Sequence, residues 1–269
     1  MVVIAVILLL LAAAFLLAIR GRTGHRNLRK LRRWKYAHRG LHGGGIPENS
    51  LAAFGLALEK GYGIELDLHL TKDGQLAVIH DASLLRTAGA DVLVEDLTEE
   101  ELERYRLEGT DEHIPMFEQV LELFAGQAPL IVELKAERGN HAALCQAACD
   151  LLEQYDGLYC IESFDPRCIL WLRKNKPEII RGQLSQNFLR DKKTKLNPVL
   201  KFALTNLLTN FLTQPDFVAC RFEDRNDLAP RLCKKLWKVQ GVSWTLRRQE
   251  DHDTATAEGN IPIFEYYLP

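Results

Sequence analysis

The chain has 269 residues, 47% of them hydrophobic and 26% charged, which suits one large globular domain with an appendage better than two half-sized domains. Its charge is unevenly placed. Eight of the 34 basic residues lie between Arg20 and Lys35, leaving 26 against 36 acidic ones from Tyr36 onward, a net of −10 that argues against a nucleic-acid partner.

Met1 to Ile19 holds no charged residue. As a helix it would span about 28 Å, so residues 1–19 read as a transmembrane helix. A cleaved signal peptide would carry its positive charge ahead of the apolar run, and here the charge follows it. Residues 20–35 then read as a basic juxtamembrane linker attracted to anionic lipid headgroups. By the positive-inside tendency this predicts a single-pass membrane protein whose main domain is cytoplasmic. Six cysteines with no paired CxxC spacing predict reduced, buried thiols.

From Tyr36 on, short apolar runs alternate with amphipathic segments. Strands are expected at Tyr36–His38, Ile64–Leu70, Leu76–His80, Leu130–Leu134, Tyr159–Phe164, Ile179–Leu184, Asp216–Phe222 and Gly241–Leu246. Helices are expected at Ser50–Lys60, Met116–Phe124, His141–Tyr155, Pro166–Lys174 and Asp227–Lys235. This alternation belongs to a (β/α) barrel or a doubly wound sheet. Pro47-Glu48-Asn49-Ser50 reads as a turn into a helix capped by Asn49 or Ser50.

Tyr36 to Ser50 reads YAHRGLHGGGIPENS. A histidine can trade protons near neutral pH and an arginine can grip a phosphate bidentately, so His38-Arg39 ahead of a glycine loop hints at phosphate chemistry.

Between Asp67 and His80 there is no room for a crossover helix, and Thr71-Lys72-Asp73-Gly74 reads as a tight turn. An antiparallel hairpin is therefore expected, with Asp67 opposite His80. Glu65, Asp67 and His69 share one strand face, while Ile64, Leu66, Leu68 and Leu70 share the other. Two carboxylates held together near histidines suit a divalent cation. His69 is equally readable as an ordinary strand histidine. Glu133 and Lys135 likewise project from one face, as a functional pair or as a plain ion pair at a strand end.

Taken in order, His38-Arg39-Gly40, Pro47-Glu48-Asn49-Ser50, Glu65-Leu66-Asp67, Thr71-Lys72-Asp73-Gly74, His80-Asp81 and Glu133-Leu134-Lys135 resemble the glycerophosphodiester phosphodiesterases. Leu85-Arg86-Thr87, Ser163-Phe164-Asp165 and Trp244-Thr245 extend the resemblance over roughly residues 36–250. The resemblance implies a TIM-like barrel over residues 36–269 that departs from the regular pattern at the hairpin. It also implies one divalent cation, Mg2+ or Ca2+, bound through Glu65, Asp67 and Glu133. His38 and His80 become the general acid/base pair, Arg39 and Lys135 the phosphate clamps, and Glu48 a residue at or just behind the metal. Ser163, Phe164 and Trp244 are expected in the substrate pocket. Where the family commonly ends a last strand in Thr-Asp, this chain reads Ile261-Pro262-Ile263-Phe264-Glu265-Tyr266-Tyr267.

The activity so implied is metal-dependent hydrolysis of glycerophosphodiesters to glycerol 3-phosphate and an alcohol. One alternative is lysophospholipase D-type hydrolysis of membrane lysophospholipids. Another, of a different class, is a catalytically silent protein that senses headgroups or binds a membrane partner, which predicts a broken catalytic set.

Overall fold

The computed structural model describes all 269 residues. Nine strands form one sheet: β1 (Tyr36–His38), β2 (Gly63–Leu70), β3 (Leu76–Val78), β4 (Leu130–Leu134), β5 (Tyr159–Ser163), β6 (Arg181–Ser185), β7 (Phe217–Arg221), β8 (Gln240–Leu246) and β9 (Ile261–Phe264). Every strand but β3 pairs in parallel with its neighbours, and the β1–β2 and β1–β9 pairings close them into an eight-stranded TIM-like barrel.

Strand alternation builds two layers. Ile64, Leu66 and Leu68 of β2 and Leu130, Val132 and Leu134 of β4 face outward, packed with Phe54, Phe117 and Phe124 from the surrounding helices. Ile131, Ala219, Val242 and Ile263 belong to the interior cluster. The acidic face of β2 therefore looks into the barrel.

The hairpin forms but is short and one residue out of the expected register. Leu68 pairs with Val78, and the Ile79 amide donates to the Asp67 carbonyl at 3.1 Å, so Ile79 takes the place expected for His80. The cause is the turn. Thr71 and Gln75 close it, with the Thr71 amide donating to the Gln75 carbonyl at 2.9 Å, so three residues intervene instead of two. The alternating pattern also gave no notice of β9, a four-residue strand interrupted by Pro262.

The N-terminal segment corrects the membrane reading. Its helix runs from Val2 to Ala18, 17 residues, and no helix is long and apolar enough to cross a membrane. At 1.5 Å per residue it reaches about 25 Å, short of a bilayer core of about 30 Å. Its last turn is also taken by the barrel. Ile19 is fully buried beside Val218 and Ala229, the Trp237 indole donates to the Leu16 carbonyl at 2.8 Å, and the Asn210 amide donates to the Ile19 carbonyl at 3.3 Å. The basic stretch beyond is docked as well, with Arg22 gripping both carboxylate oxygens of Asp216 at 2.8 and 2.6 Å. The single-pass placement, the cytoplasmic orientation derived from it and the lipid partner assigned to this helix and its basic collar all fall with the span. All six cysteines are buried free thiols.

Candidate active site

The first strand ends at His38, and the chain then turns sharply. Arg39 and Gly40 both have positive φ, 54° and 81°. A Cβ on Gly40 would come within 2.8 Å of the Ala53 Cβ, so only glycine fits against the next helix. The turn directs Arg39 over the carboxylates, with Nε 3.3 Å from Asp67 Oδ2 and Nη1 donating to Glu48 Oε1 at 2.9 Å. Glu48 also accepts from Arg86 Nη2 at 2.6 Å, so it braces two arginines and does not line the cleft. Asn49, whose Nδ2 donates to Asp67 Oδ2 at 2.9 Å, holds that carboxylate in place. The helix Leu51–Glu59 is capped by Ser50, whose Oγ accepts from the Ala53 amide at 3.1 Å.

Strand register gathers the acids. Asp67 lies beside Glu133 on β4, and Glu133 beside Glu162 on β5. Glu65, Asp67 and Glu133 are all buried and offer ligand oxygens within 4.8 Å of one another. Lys135 Nζ lies 3.0 Å from Asp67 Oδ1 and 2.7 Å from Glu133 Oε1.

Burial pushes Glu65 well above the usual carboxylate range, helped by the charges of Asp67 and Glu133. Glu162 is raised in the same way, by burial and then by Glu133. Asp67 is held well below that range because Lys135, His80 and Arg39 outweigh its burial. Four buried carboxylates thus face two permanent cations, Arg39 and Lys135. Glu162 Oε2 has no hydrogen-bond partner at all. Converging carboxyl oxygens that outnumber their cations, with Glu65 and Glu133 raised by burial for want of a compensating charge, fit a hard divalent cation on Glu65, Asp67 and Glu133.

Each histidine is braced in the same way. His38 Nδ1 lies 2.8 Å from Glu265 Oε1, and Glu265 Oε2 accepts from Arg247 Nε at 2.7 Å. His80 Nδ1 lies 2.6 Å from Asp81 Oδ1, and Asp81 Oδ2 accepts from Arg86 Nε at 2.5 Å. A carboxylate partner assigns the proton to Nδ1 and leaves Nε2 bare in the neutral ring. His38 Nε2 stands 3.8 Å from Glu65 Oε2. Burial lowers the His38 ring to about 4 against the pull of Glu265. The Glu265 carboxylate is held below its usual range because hydrogen bonds from His38 and His42 overcome its burial. Asp81 is held low chiefly by the His80 hydrogen bond.

These groups line a cleft of about 160 Å3 at the C-terminal ends of the strands. His38, Arg39, Glu65, His80, Glu133 and Lys135 border it, and Phe164, Leu184, Trp244 and Ile263 give it an apolar wall. Phe164 and Trp244 meet edge to face at 5.6 Å. Ser163 stays off the wall, its hydroxyl donating to the Leu134 carbonyl at 2.7 Å. His69 is buried in the hairpin between Glu95, at 2.7 Å from Nδ1, and the His80 carbonyl, at 3.1 Å from Nε2, so it anchors the backbone beneath His80.

Sequence alone assigns no site role to Glu265, Glu162 or Arg247, and offers Asn49 only as a helix cap, whereas it holds Asp67. A signal existed for the first: Glu265 follows an apolar strand, as Glu133 ends one. Pro262 hid that strand.

The glycerophosphoryl diester phosphodiesterase family matches residues 38–264. A glycerophosphodiester phosphodiesterase of Caldanaerobacter subterraneus subsp. tengcongensis is 31% identical over 240 residues, covering 83% of this chain and 89% of that protein. A Rattus norvegicus protein named lysophospholipase D GDPD1 is 38% identical over 132 residues, 44% of this chain and 40% of that one. Among solved structures, an Oleispira antarctica phosphodiesterase in complex with the product sn-glycerol-3-phosphate has the same fold, with a TM-score of 0.70 at 23% identity over 86% of this chain and 92% of that one. The match over residues 38–264, with a relative alike over most of both lengths, places this chain in the glycerophosphoryl diester phosphodiesterase family, a family of phosphoric diester hydrolases.

Proposed function

We propose that this chain hydrolyses glycerophosphodiesters to glycerol 3-phosphate and an alcohol, with a divalent cation on Glu65, Asp67 and Glu133 and with His38 and His80 as base and acid. The observation that carries the reading is the cluster of Glu65, Asp67 and Glu133, of which Glu65 and Glu133 border the same cleft as two carboxylate-braced histidines while Asp67 lies just behind it. When bound, the cation supplies positive charge against the non-bridging phosphate oxygens. Arg39 and Lys135 add theirs, the first as a planar fork, the second as a point charge.

His38 Nε2, bare in the assigned tautomer, takes the proton from the attacking oxygen, which belongs to water or to a glycerol hydroxyl. A new P–O bond forms as the bond to the headgroup oxygen breaks. His80, a third exposed, must enter this step as the imidazolium, keeping its Nδ1 proton hydrogen-bonded to Asp81 and passing the Nε2 proton to the departing oxygen. Attack by a glycerol hydroxyl gives a cyclic phosphate, which water opens by the reverse proton transfers.

The test is turnover of glycerophosphocholine, glycerophosphoethanolamine and lysophosphatidylcholine by the full chain, with Mg2+, with Ca2+ and with chelator. Glycerol 3-phosphate released from the first two only in the presence of metal is the expected result. No turnover of any diester under either metal would sink the reading. The apolar wall of Phe164, Leu184 and Trp244, together with the rat relative's name, supports a second reading, lysophospholipase D-type hydrolysis. Faster turnover of lysophosphatidylcholine than of glycerophosphocholine would favour it.

A further inference from the structure

A second hollow, roomier than the catalytic cleft, lies away from it. It is a groove of about 610 Å3 on the outside of the barrel, between the helix Leu228–Trp237 and the segment Glu258–Asn260 that leads into β9, and it shares no lining residue with the cleft. Val218 and Cys220 of β7 and Gly241 and Ser243 of β8 form its floor. Gly241 keeps the groove deep, because a Cβ there would lie 2.3 Å from Asn260 Oδ1.

Its rim is strongly basic. Arg32 arrives from the segment before the barrel, Arg225 from the turn after β7, and Arg231, Lys234, Lys235 and Lys238 from the helix and its end. Glu258 is the one acid on the rim. Two of the six cations are already engaged. Arg225 Nε lies 3.2 Å from both Glu258 oxygens, and Lys234 donates to the Glu258 carbonyl and to Asn260 Oδ1. Arg32, Arg231, Lys235 and Lys238 have no side-chain partner among the hydrogen bonds and ion pairs of the chain.

A solvated helix end, favoured by the helix dipole, accounts for Lys234 and Lys235. It does not account for Arg32 and Arg225, which come from other parts of the chain to the same hollow in a domain that is net acidic. Burial, with Arg225 and Arg32 close by, also lowers the Lys234 ammonium. Like charges gathered around a hollow repel one another until an anion enters.

We propose that this groove binds a small soluble anion carrying two or more phosphate groups, at a site separate from the catalytic cleft. Its volume lies in the usual range for small-molecule sites of about 300–1,000 Å3. Four unpaired cations around it exceed what a single phosphate engages. Arg32 and Arg231 offer forks that match phosphate oxygens. A long polyanion would be repelled by a domain that carries a net charge of −10 from Tyr36 onward, whereas a compact one can sit within the hollow.

The test is calorimetric titration of the full chain with inorganic tripolyphosphate and with orthophosphate, in chelator so that no metal links the ligand to the cleft, at about 0.15 M salt. Saturable one-to-one binding of tripolyphosphate, at least tenfold tighter than orthophosphate, is expected. Arg231→Glu with Lys235→Glu should weaken it at least tenfold, and Glu65→Gln should leave it unchanged. The milder Arg231→Ala with Lys235→Ala pair carries the test if charge reversal disturbs folding, judged by thermal unfolding. No saturable binding, equal binding by the groove variants, or loss of binding in Glu65→Gln would each overturn the proposal.

Discussion

The two histidine arms share one design and differ in burial. On one side Arg247, Glu265 and His38 run inward from the end of β9, and the His38 and Glu265 side chains are 12% and 4% exposed. On the other side Arg86, Asp81 and His80 follow the hairpin, and the His80 and Asp81 side chains are 33% and 29% exposed. The same carboxylate brace therefore acts in two media. Deep in the barrel the brace fixes a neutral ring that has lost its solvent, which suits a base. At the rim it holds a ring that water can reach, which suits an acid that must be reloaded each cycle. Different proton roles thus follow from where each strand end leaves its histidine.

The widest effect should come from the carboxylates that both arms serve. Glu65→Ala and Asp67→Ala should each lower metal-dependent turnover by more than about 10³-fold, since several kcal/mol of charge stabilisation go with the ion. The thermal unfolding midpoint should change little in Glu65→Ala, which relieves crowding among buried carboxylates, and should fall in Asp67→Ala, which leaves Lys135, Arg39 and Asn49 without their partner. Near-normal rates at limiting metal in either variant would show that this strand is not the cradle.

The next test separates the arms. His38→Ala and His80→Ala should each cost about 10²–10⁴-fold on a glycerophosphodiester with a poor leaving group, the usual scale for a positioned proton carrier. With a nitrophenolate leaving group, which departs without a proton, His80→Ala should recover most of its rate and His38→Ala should not. Recovery in His38→Ala instead would exchange the two roles.

Much of this site could be read from the sequence because strands impose a period of two. Glu65 with Asp67 and Glu133 with Lys135 fall on one face whatever the fold around them, and the apolar residues between them say which face looks inward. The first strand and the fourth begin and end where their apolar runs do. What the pattern could not supply depends on packing between distant segments. Glu265 reaches His38 only once β9 has closed the barrel beside β1, 227 residues apart in sequence. The hairpin slipped by one because turn length is set by the Thr71 and Gln75 hydrogen bonds, which composition does not reveal. An apolar run of membrane-like composition proved to be a 17-residue helix whose last turn docks beside Trp237.

Neutralising the braces themselves should give smaller and unequal losses. Glu265→Gln keeps an acceptor for His38 but removes the charge, and should cost about 10-fold or more in kcat with KM little changed, within the range of outer partners that orient a working group. Asp81→Asn should cost only a few-fold, because water screens the exposed arm. Equal losses in the two variants would mean that burial does not distinguish the arms.

The smallest effect is on stability, and its sign is fixed by Glu265. His38, His42 and Arg247 hold this carboxylate below its usual range, although burial alone would raise it. The folded protein therefore binds fewer protons at this site than the unfolded chain, whose glutamates titrate near about 4.3. A group depressed in this way contributes its full stability above the unfolded value and loses it as pH falls toward the folded one. Wild type should exceed Glu265→Gln by about 1 kcal/mol in urea unfolding at pH 7, the scale of a hydrogen bond gaining a charged partner. That gap should hold to about pH 5 and narrow steadily between about pH 4.5 and pH 3, as protonation turns the glutamate into a neutral analogue of the glutamine. A gap that stayed constant over that range, or widened, would show that the charge on Glu265 is not what steadies His38.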